Sequence, residues 1–387
     1  MSTAEEVTKI SDRAGTGAVN FSNGFNVNGS DSGISSFTHT EGANEPSSPS
    51  NGDTWWDSDN DIYKVYMNNE WKDWLGTTTP AASHYGDRAH KVGISHSSSN
   101  TIEYWDMTSA GNASDFGDLT SGRYGRTGMC SDGTRIYNPV YQDPQIDYWT
   151  SATLGNASDY GDLQYGTFDS DMEADGSKAL LVHGYARDSG TNYVGGIGNK
   201  IEQFTVGTGS AGVTATDFGN QLTSSNELFN TASNGTRMLI AGGLVGSSVT
   251  NTIAYVTFAT AGNAVDAGDL NQGRFRAAGA GSGSGDIACF AGGGINNSGS
   301  YVNSIDQKNI SNTNNATDFG DLTGAIYFHS GCYNATKGHF NGGYNTTSSA
   351  VENTIQQVTF DTAGNATDFG DLVSAAFHTR ASSGAAS

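Results

Sequence analysis

The chain has 387 residues, with 40 acidic against 18 basic side chains and a formal net charge of −22. No Lys/Arg-rich run interrupts that negative field, so nucleic acid phosphate and anionic membrane surfaces are not expected partners. The 53 glycines, only 5 prolines and many Ser, Thr, Asn and Asp residues point to short strands and tight turns, and the recurring placement of 17 Phe, 17 Tyr and 6 Trp excludes a disordered Gly/Ser-rich polymer.

Residues 1–35 are polar and rich in Gly and Asn, strand-like only around 18–21 and 25–27. Neither an apolar signal core at the start nor a run of about 20 apolar residues anywhere is present, so membrane insertion is not expected. Residues 36–80 carry a Pro/Ser linker, then TWWD, an acidic turn, IYKVYMN, a turn at Asn68–Asn69, and EWKDWLG. That pattern predicts a three-stranded meander whose aromatic face holds Trp55, Trp56, Tyr63, Tyr66, Trp71 and Trp74. So small a sheet cannot bury such a face alone. Trp55, Trp56, Trp71 and Trp74 are therefore the expected partner-docking residues. The acidic stretch DSDND (57–61) reads as a hairpin tip, because a calcium-binding EF-hand loop would need Gly and Glu where Ile62 and Asn68 stand.

From residue 82 to 387 the sequence repeats. The phrase AGNASDFGDL (110–119) returns as LGNASDYGDL (154–163), GVTATDFGNQL (212–222), AGNAVDAGDL (261–270), TNNATDFGDL (313–322) and AGNATDFGDL (363–372). The closing leucines are 44, 59, 48, 52 and 50 residues apart, a period that fits propeller blades of several strands each. Within 273–322 the signals run in order: GRFRAAGAG as a first strand, SGSG as a turn, DIACFAGGG as a second strand, a polar loop, NSIDQKNI as a third strand, and the phrase as turn plus fourth strand. Turns recur as SDGTR (131–135), ADGSK (174–178) and SNGTR (233–237), where Asp-Gly and Asn-Gly supply positive φ. Second strands ending IAGGL (240–244), FAGGG (290–294) and FNGGY (340–344), with Gly-Arg starts at 122–123 and 273–274, resemble the kelch repeat of β-propellers. Two repeats have YNPVY (137–141) and VHGY (182–185) in place of the double glycine, and the tryptophan usual late in a kelch repeat is missing, so the likeness is kelch-like.

The ends indicate how the ring closes. VSAAFHTRASSG (373–384) fits a first strand and RAHKVGISHSSSN (88–100) a second, so the last strand completes the blade opened near Arg88. The expectation is an all-β chain: a six-bladed kelch-like β-propeller over 82–387, closed by pairing of its terminal strands and preceded by a small N-terminal β module. The phrase then reads as architecture, a loop plus an outer strand whose Phe packs between blades.

Few residues suggest chemistry. Each phrase offers two Asp separated by apolar and Gly residues, which is poor metal-ligand spacing. The Asn-x-Ser/Thr sequons at Asn112, Asn156, Asn315, Asn365 and Asn334 read as by-products of the repeat rather than glycan sites. Cys130, Cys289 and Cys332 read as buried small residues, and His84, His90, His96, His329, His339 and His378 as packing or surface groups. No nucleophile–base or paired-carboxylate arrangement is legible, and SDGTRIY (131–137) lacks the pattern of a sialidase aspartate box. Neither catalysis, metal nor cofactor is expected. The loops between second and third strands, 141–144, 185–193, 244–251, 295–302 and 344–353, vary on a constant frame, so recognition is expected there. Tyr185, Arg187, Tyr193, Tyr301 and Tyr344 are the candidate receptor-binding residues.

The opening KISDRAGTG (9–17) with NFSNGF (20–25), and the stretch PSNGDTWWDS to IYKVYMNNEW (49–71), resemble virion appendage and tail-fibre proteins of bacteriophages. Propeller arrays carrying GNATDFGDL phrases are similar to virion structural proteins of marine phages. The resemblance implies a virion location, with residues 1–35 docking to other virion proteins, 36–80 as an aromatic connector, and the propeller turned to a host-surface glycan or protein. Phage fibres are often homotrimers, so that assembly is compatible with it. A head or neck decoration without receptor binding, and a kelch-like cellular interaction scaffold, are the alternative readings.

Overall fold

In this computed structural model the described residues are 26–27, 30–31, 39–42, 45–50, 53–57, 62–67, 70–73, 84–94, 97–187, 199–207, 212–224, 227, 230–283 and 285–386. The chain divides into two compact units, Met1–Pro80 and Ala81–Ser387.

In the first unit, Thr54–Asp57, Ile62–Met67 and Glu70–Asp73 form the antiparallel meander that the turn signals predict. A strand without a clear sequence signal, His39–Gly42, adds to its edge in parallel. Trp55 is buried, its indole Nε1 donating to the Gly42 carbonyl at 2.9 Å, so the side chain ties the extra strand down.

The second unit is a six-bladed β-propeller. Each blade is an antiparallel sheet, and the second strands are Arg88–Ile94, Arg135–Pro139, Lys178–Val182, Arg237–Ala241, Ile287–Ala291 and Lys337–Asn341. The inner strands are Arg380–Gly384, Cys130–Ser131, Asp171–Ala174, Thr231–Ser233, Ala278–Gly281 and Ser330–Tyr333; each touches the next around the ring. Blade 1 joins the two ends of the unit: Arg380–Gly384 pairs with the Arg88–Ile94 strand, Arg380 opposite Val92. Blades 2 to 6 follow in chain order.

Turn chemistry sets the local geometry. Asp132, Asp175, Asn234 and Asn334 each accept two backbone N–H groups two and three residues on, closing the turn from inner to second strand. The double glycines end second strands. At Gly292 (φ 62°) a Cβ would meet the Ile326 carbonyl oxygen at 2.5 Å, and the Gly293 N–H donates to that oxygen at 2.8 Å. The chain entering the next blade thus presses directly on the glycine pair.

The core lies between blades. Six apolar clusters each draw on two neighbouring blades. Phe116 and Leu119 of blade 1 pack with Met129, Ile136 and Trp149 of blade 2, and Phe218 of blade 3 packs with Met238, Val256 and Phe258 of blade 4. The phrase aromatics therefore sit at blade interfaces, as the sequence predicts.

The rest of the phrase is a clasp. Its Asn Oδ1 accepts the backbone N–H of the residue after Phe-Gly in the preceding blade: Asp118 to Asn156, Asn220 to Asn263, Asp269 to Asn315, Asp321 to Asn365, and Asp371 to Asn112, at 3.0–3.1 Å. The following Ala returns its N–H to the same residue's carbonyl, as Ala157 does to Asp118 (2.7 Å) and Ala113 to Asp371 (2.7 Å). The phrase glycine permits this approach: at Gly320 a Cβ would meet the Gly364 carbonyl oxygen at 2.3 Å. The divergent copy at 212–222 has Thr214 where the others have Asn; there Val213–Thr214 pairs in parallel with Gly161–Asp162, a backbone substitute for the side-chain clasp.

Asn315→Ala and Asn365→Ala should each lower unfolding free energy by about 1 kcal/mol, and the double variant by the sum, because each leaves one backbone N–H unmatched at a separate interface. Gly320→Ala should cost more than either, since its new Cβ collides with backbone. Urea unfolding midpoints check this; equal effects of Asn365→Ala and a substitution at the exposed Val373 would show the clasp to carry no stability.

Candidate functional site: the hub and its loop-side mouth

Inner strands bring polar groups to the hub. Asp171 and Glu173 of blade 3, Ser330 and Tyr333 of blade 6, Thr231 of blade 4 and Arg380 of blade 1 line a cavity of about 20 Å³, enough for one water molecule. Tyr333 Oη donates to Glu173 Oε2 at 2.7 Å, the Thr231 N–H donates to Asp171 Oδ2 at 2.9 Å, and Arg380 lies 4.0 Å from Asp171. Burial pushes the Glu173 carboxyl up to about 8 despite the tyrosine hydrogen bond, and burial lowers Arg380 to about 10. One end of the hub is covered by the segment entering the propeller: His84 packs edge-on against Tyr333 at 6.0 Å, and Tyr85 fills the space beside Gly283.

The other end opens among the loops between second and third strands. There the segments leading into the inner strands contribute Arg126, Asp169, Glu227, Arg276, Phe328 and His378, one for each blade. All but Arg126 have left-handed backbones, with φ between 50° and 58°. Such strain in non-glycine residues gathers at sites of function. Three backbone hydrogen bonds link four neighbours: Arg276 N–H to Glu227 O, Phe328 N–H to Arg276 O and His378 N–H to Phe328 O, at 2.8–3.3 Å. Two ion pairs sit in the ring. Arg126 forks onto Asp169, its Nε 2.5 Å from Oδ1, and Arg276 forks onto Glu227 at 2.5 and 3.0 Å. Phe328 meets His378 edge-on at 3.8 Å and lies under the Arg276 guanidinium at 4.4 Å.

Aromatic groups border this ring on two sides. Tyr301, from a second-to-third-strand loop, lies parallel to Tyr327 at 4.1 Å, and Tyr344 packs on Tyr327 at 5.6 Å. The same cluster holds Phe328 and Phe377. Across blades 2 and 3, Tyr185 stacks on Phe168 at 4.7 Å, Phe168 meets Tyr141 at 5.7 Å, and Arg126 lies over Phe168. The structure therefore brings Tyr301 and Tyr344 together and places Tyr185 in a separate group. The backbone of Arg187 pairs with Gly166, and Tyr193 lies outside the described residues. Among the tryptophans, Trp55 is buried against Trp71 (5.8 Å), Trp71 also meets Tyr66 (5.3 Å), Trp56 pairs through its backbone with Tyr63, and Trp74 and most of the acidic turn at 57–61 lie outside the described residues.

Sequence reasoning missed Arg126, Asp169, Glu227, Arg276, Tyr327, Phe328 and Phe377. A signal exists: FD (168–169), FR (275–276), YF (327–328) and FH (377–378) all stand just before an inner strand. GRFRAAGAG was expected to be one strand, but only Ala278–Gly281 is; the preceding residues are the entry segment that forms the mouth.

Three cysteines are buried and unpaired, and burial raises the thiol pKa of each. Among the described residues, no group of three or more His, Cys, Asp or Glu is placed to hold a metal ion. No family model and no curated protein matches the chain. The propeller is similar to a solved structure described as "Structure of YjhT", with a TM-score of 0.55 and 12% identity, over 76% of this chain and 98% of that one. At that identity the likeness is one of fold.

Burial gives stability a dated pH profile, with a defined sign. His84, His90, His329 and His339 are lowered from 6.5 to about 4, 3, 3 and 4 by desolvation, so the unfolded chain binds protons that the fold refuses, and stability falls as pH drops below 6.5. Glu173 behaves oppositely: the fold keeps its proton up to about pH 8, whereas the unfolded group releases it near 4.5, so stability also falls as pH rises towards 8. Thermal midpoints should therefore peak near pH 6.5. Glu173→Gln should abolish an alkaline decline of about 1.4 kcal/mol per pH unit; parallel profiles for the two proteins between pH 6.5 and 8 would refute a protonated Glu173.

Proposed function

We propose that the chain is a non-catalytic recognition protein of a bacteriophage virion, an adhesin of tail-fibre type that binds a host-surface glycan with the loop-side mouth of its propeller. The observation that carries the recognition reading is the mouth itself. Forked Arg–carboxylate pairs offer fixed donors and acceptors, and tyrosines beside them offer flat apolar faces with polar tips. Together these match the alternating hydroxyls and C–H faces of a sugar ring. The virion assignment is supported by the repeated phrase and by the N-terminal stretches that resemble phage appendages; residues 1–80 would then attach the propeller to other virion proteins.

The test is binding of the purified full-length protein to a glycan array and to host envelope polysaccharide. Tyr301→Ala/Tyr344→Ala should weaken retention at least tenfold while the thermal midpoint moves by only about 2 °C, because both side chains are half-buried loop residues. Unchanged retention would move the site elsewhere. Immunogold labelling of particles should mark the tail tips; label spread over the capsid would replace adhesion with decoration.

A further inference from the structure

The charge pattern of the mouth narrows what it binds; this step rests on the glycan reading above. Arg126 and Arg276 are the cations of the ring, with side chains 24% and 23% exposed. Each is already neutralised by a carboxylate within the ring, Asp169 and Glu227. Beneath them Arg380 faces Asp171. Among the described residues, each ring arginine and the buried Arg380 below them is thus set against a carboxylate, with no surplus positive charge to receive an anion. Both forked pairs use Nε and Nη2 of the guanidinium, which leaves the Nη1 edge pointing away from the carboxylate. Each pair as a whole offers a donor edge and carboxylate acceptors, fixed by the fork and neutral overall.

An anionic sugar would have to displace one of these carboxylates, or bind next to it. Displacement leaves a partly buried Asp169 or Glu227 without its partner, and adjacency places like charges together; both are costly. The chain's net charge of −22 adds a long-range repulsion. Neutral hydroxyls meet neither penalty: one oxygen accepts from Nη1, and a neighbouring hydroxyl donates to a carboxylate oxygen. The parallel Tyr301 and Tyr327 rings provide the apolar platform beside it.

We infer that the mouth selects uncharged pyranose sugars and rejects those bearing carboxylate, sulfate or phosphate. Asp169 and Glu227 set this selectivity; Glu227, by pairing with Arg276, removes one of the two ring charges that would hold an acidic sugar.

The experiment is a glycan array carrying neutral hexose oligosaccharides, uronic and sialylated glycans, and sulfated glycans, probed with the full-length protein at 50 and 500 mM salt. Binding to neutral glycans that changes less than about twofold between the two salts is the expected result. Binding confined to acidic glycans, or lost tenfold at high salt, would overturn the selectivity while leaving the glycan reading intact. No binding to any glycan would overturn the glycan reading and this inference with it. Glu227→Gln keeps the shape and frees the Arg276 charge; it should gain acidic-glycan binding at low salt by at least fivefold. A variant that folds with an unchanged thermal midpoint and shows no such gain would overturn the role of Glu227.

Discussion

The ring depends on one contact repeated around it, the phrase asparagine that takes the backbone N–H of the blade before it. Apolar burial between blades supplies most of the energy, but burial has no direction. Two flat sheets covered in Ile, Phe and Ala could slide or tilt over one another at little cost. The Asn Oδ1 and the Ala N–H grip the N–H and the carbonyl of one residue of the neighbour, and this sets how far each blade advances around the axis. The last clasp, Asp371 to Asn112, joins the final phrase to the first. A small angular error at each interface would accumulate over six blades and leave the terminal strand Arg380–Gly384 out of reach of Arg88–Ile94. A contact worth about 1 kcal/mol on its own is thus multiplied by closure.

A second repeated device binds the same interfaces further in. The residue following a phrase donates its N–H to a buried side chain on the third strand of the next blade: Glu103, Asp147, Glu202, Asp306 or Gln356. Four of these acceptors are carboxylates, and buried carboxylates need cations. The chain supplies one at three of them, Lys91 for Glu103, Arg123 for Asp147 and Arg274 for Asp306, and at the fourth the His183 ring lies within hydrogen-bond distance of Glu202. Arg274, fully buried, also donates to the Phe290, Gly292 and Ser304 carbonyls. The Gly-Arg start that resembles a kelch repeat is therefore the counter-charge of a structural carboxylate. It fixes where the entry segment begins, and so where Arg276 and Phe328 meet at the mouth.

How much of this was legible follows from periodicity. The six phrases, the Asp-Gly and Asn-Gly turns and the double glycines recur at fixed offsets, and each recurrence has one physical meaning, so blade number and closure could be read before any coordinates. Tyr301 and Tyr344 could be found as aromatics in variable loops. Arg126 and Glu227 could not, because they lack the aromatic-led dipeptide that marks Asp169, Arg276, Phe328 and His378 just before an inner strand. Their pairing joins neighbouring blades 40 to 50 positions apart in sequence, Arg126 with Asp169 and Glu227 with Arg276. Alternation signals a strand, and FRAAGAG reads as a strand until the left-handed φ of Arg276 breaks it. His39–Gly42 was invisible for a related reason: it is held by the Trp55 indole and a parallel ladder, neither of which marks the sequence of the strand itself.

The same economy favours the proposed placing of recognition at the mouth and not on the perimeter. Around the outer strands, asparagine, glycine and aromatic side chains are committed to clasp and core, and Asp115, Asp217 and Asp318 stand exposed at equivalent positions. A carboxylate on every edge strand keeps other sheets from adding to it, and any change there is repeated against the geometry of the ring. The entry segments are freer. They carry no phrase, they are anchored at one end by the outer strand and at the other by the inner strand, and their left-handed residues turn side chains out of the ladder towards the axis. Six such segments converge on one small area. Residues placed there can differ from blade to blade without disturbing the interfaces that hold the ring, as the proposed binding surface would require.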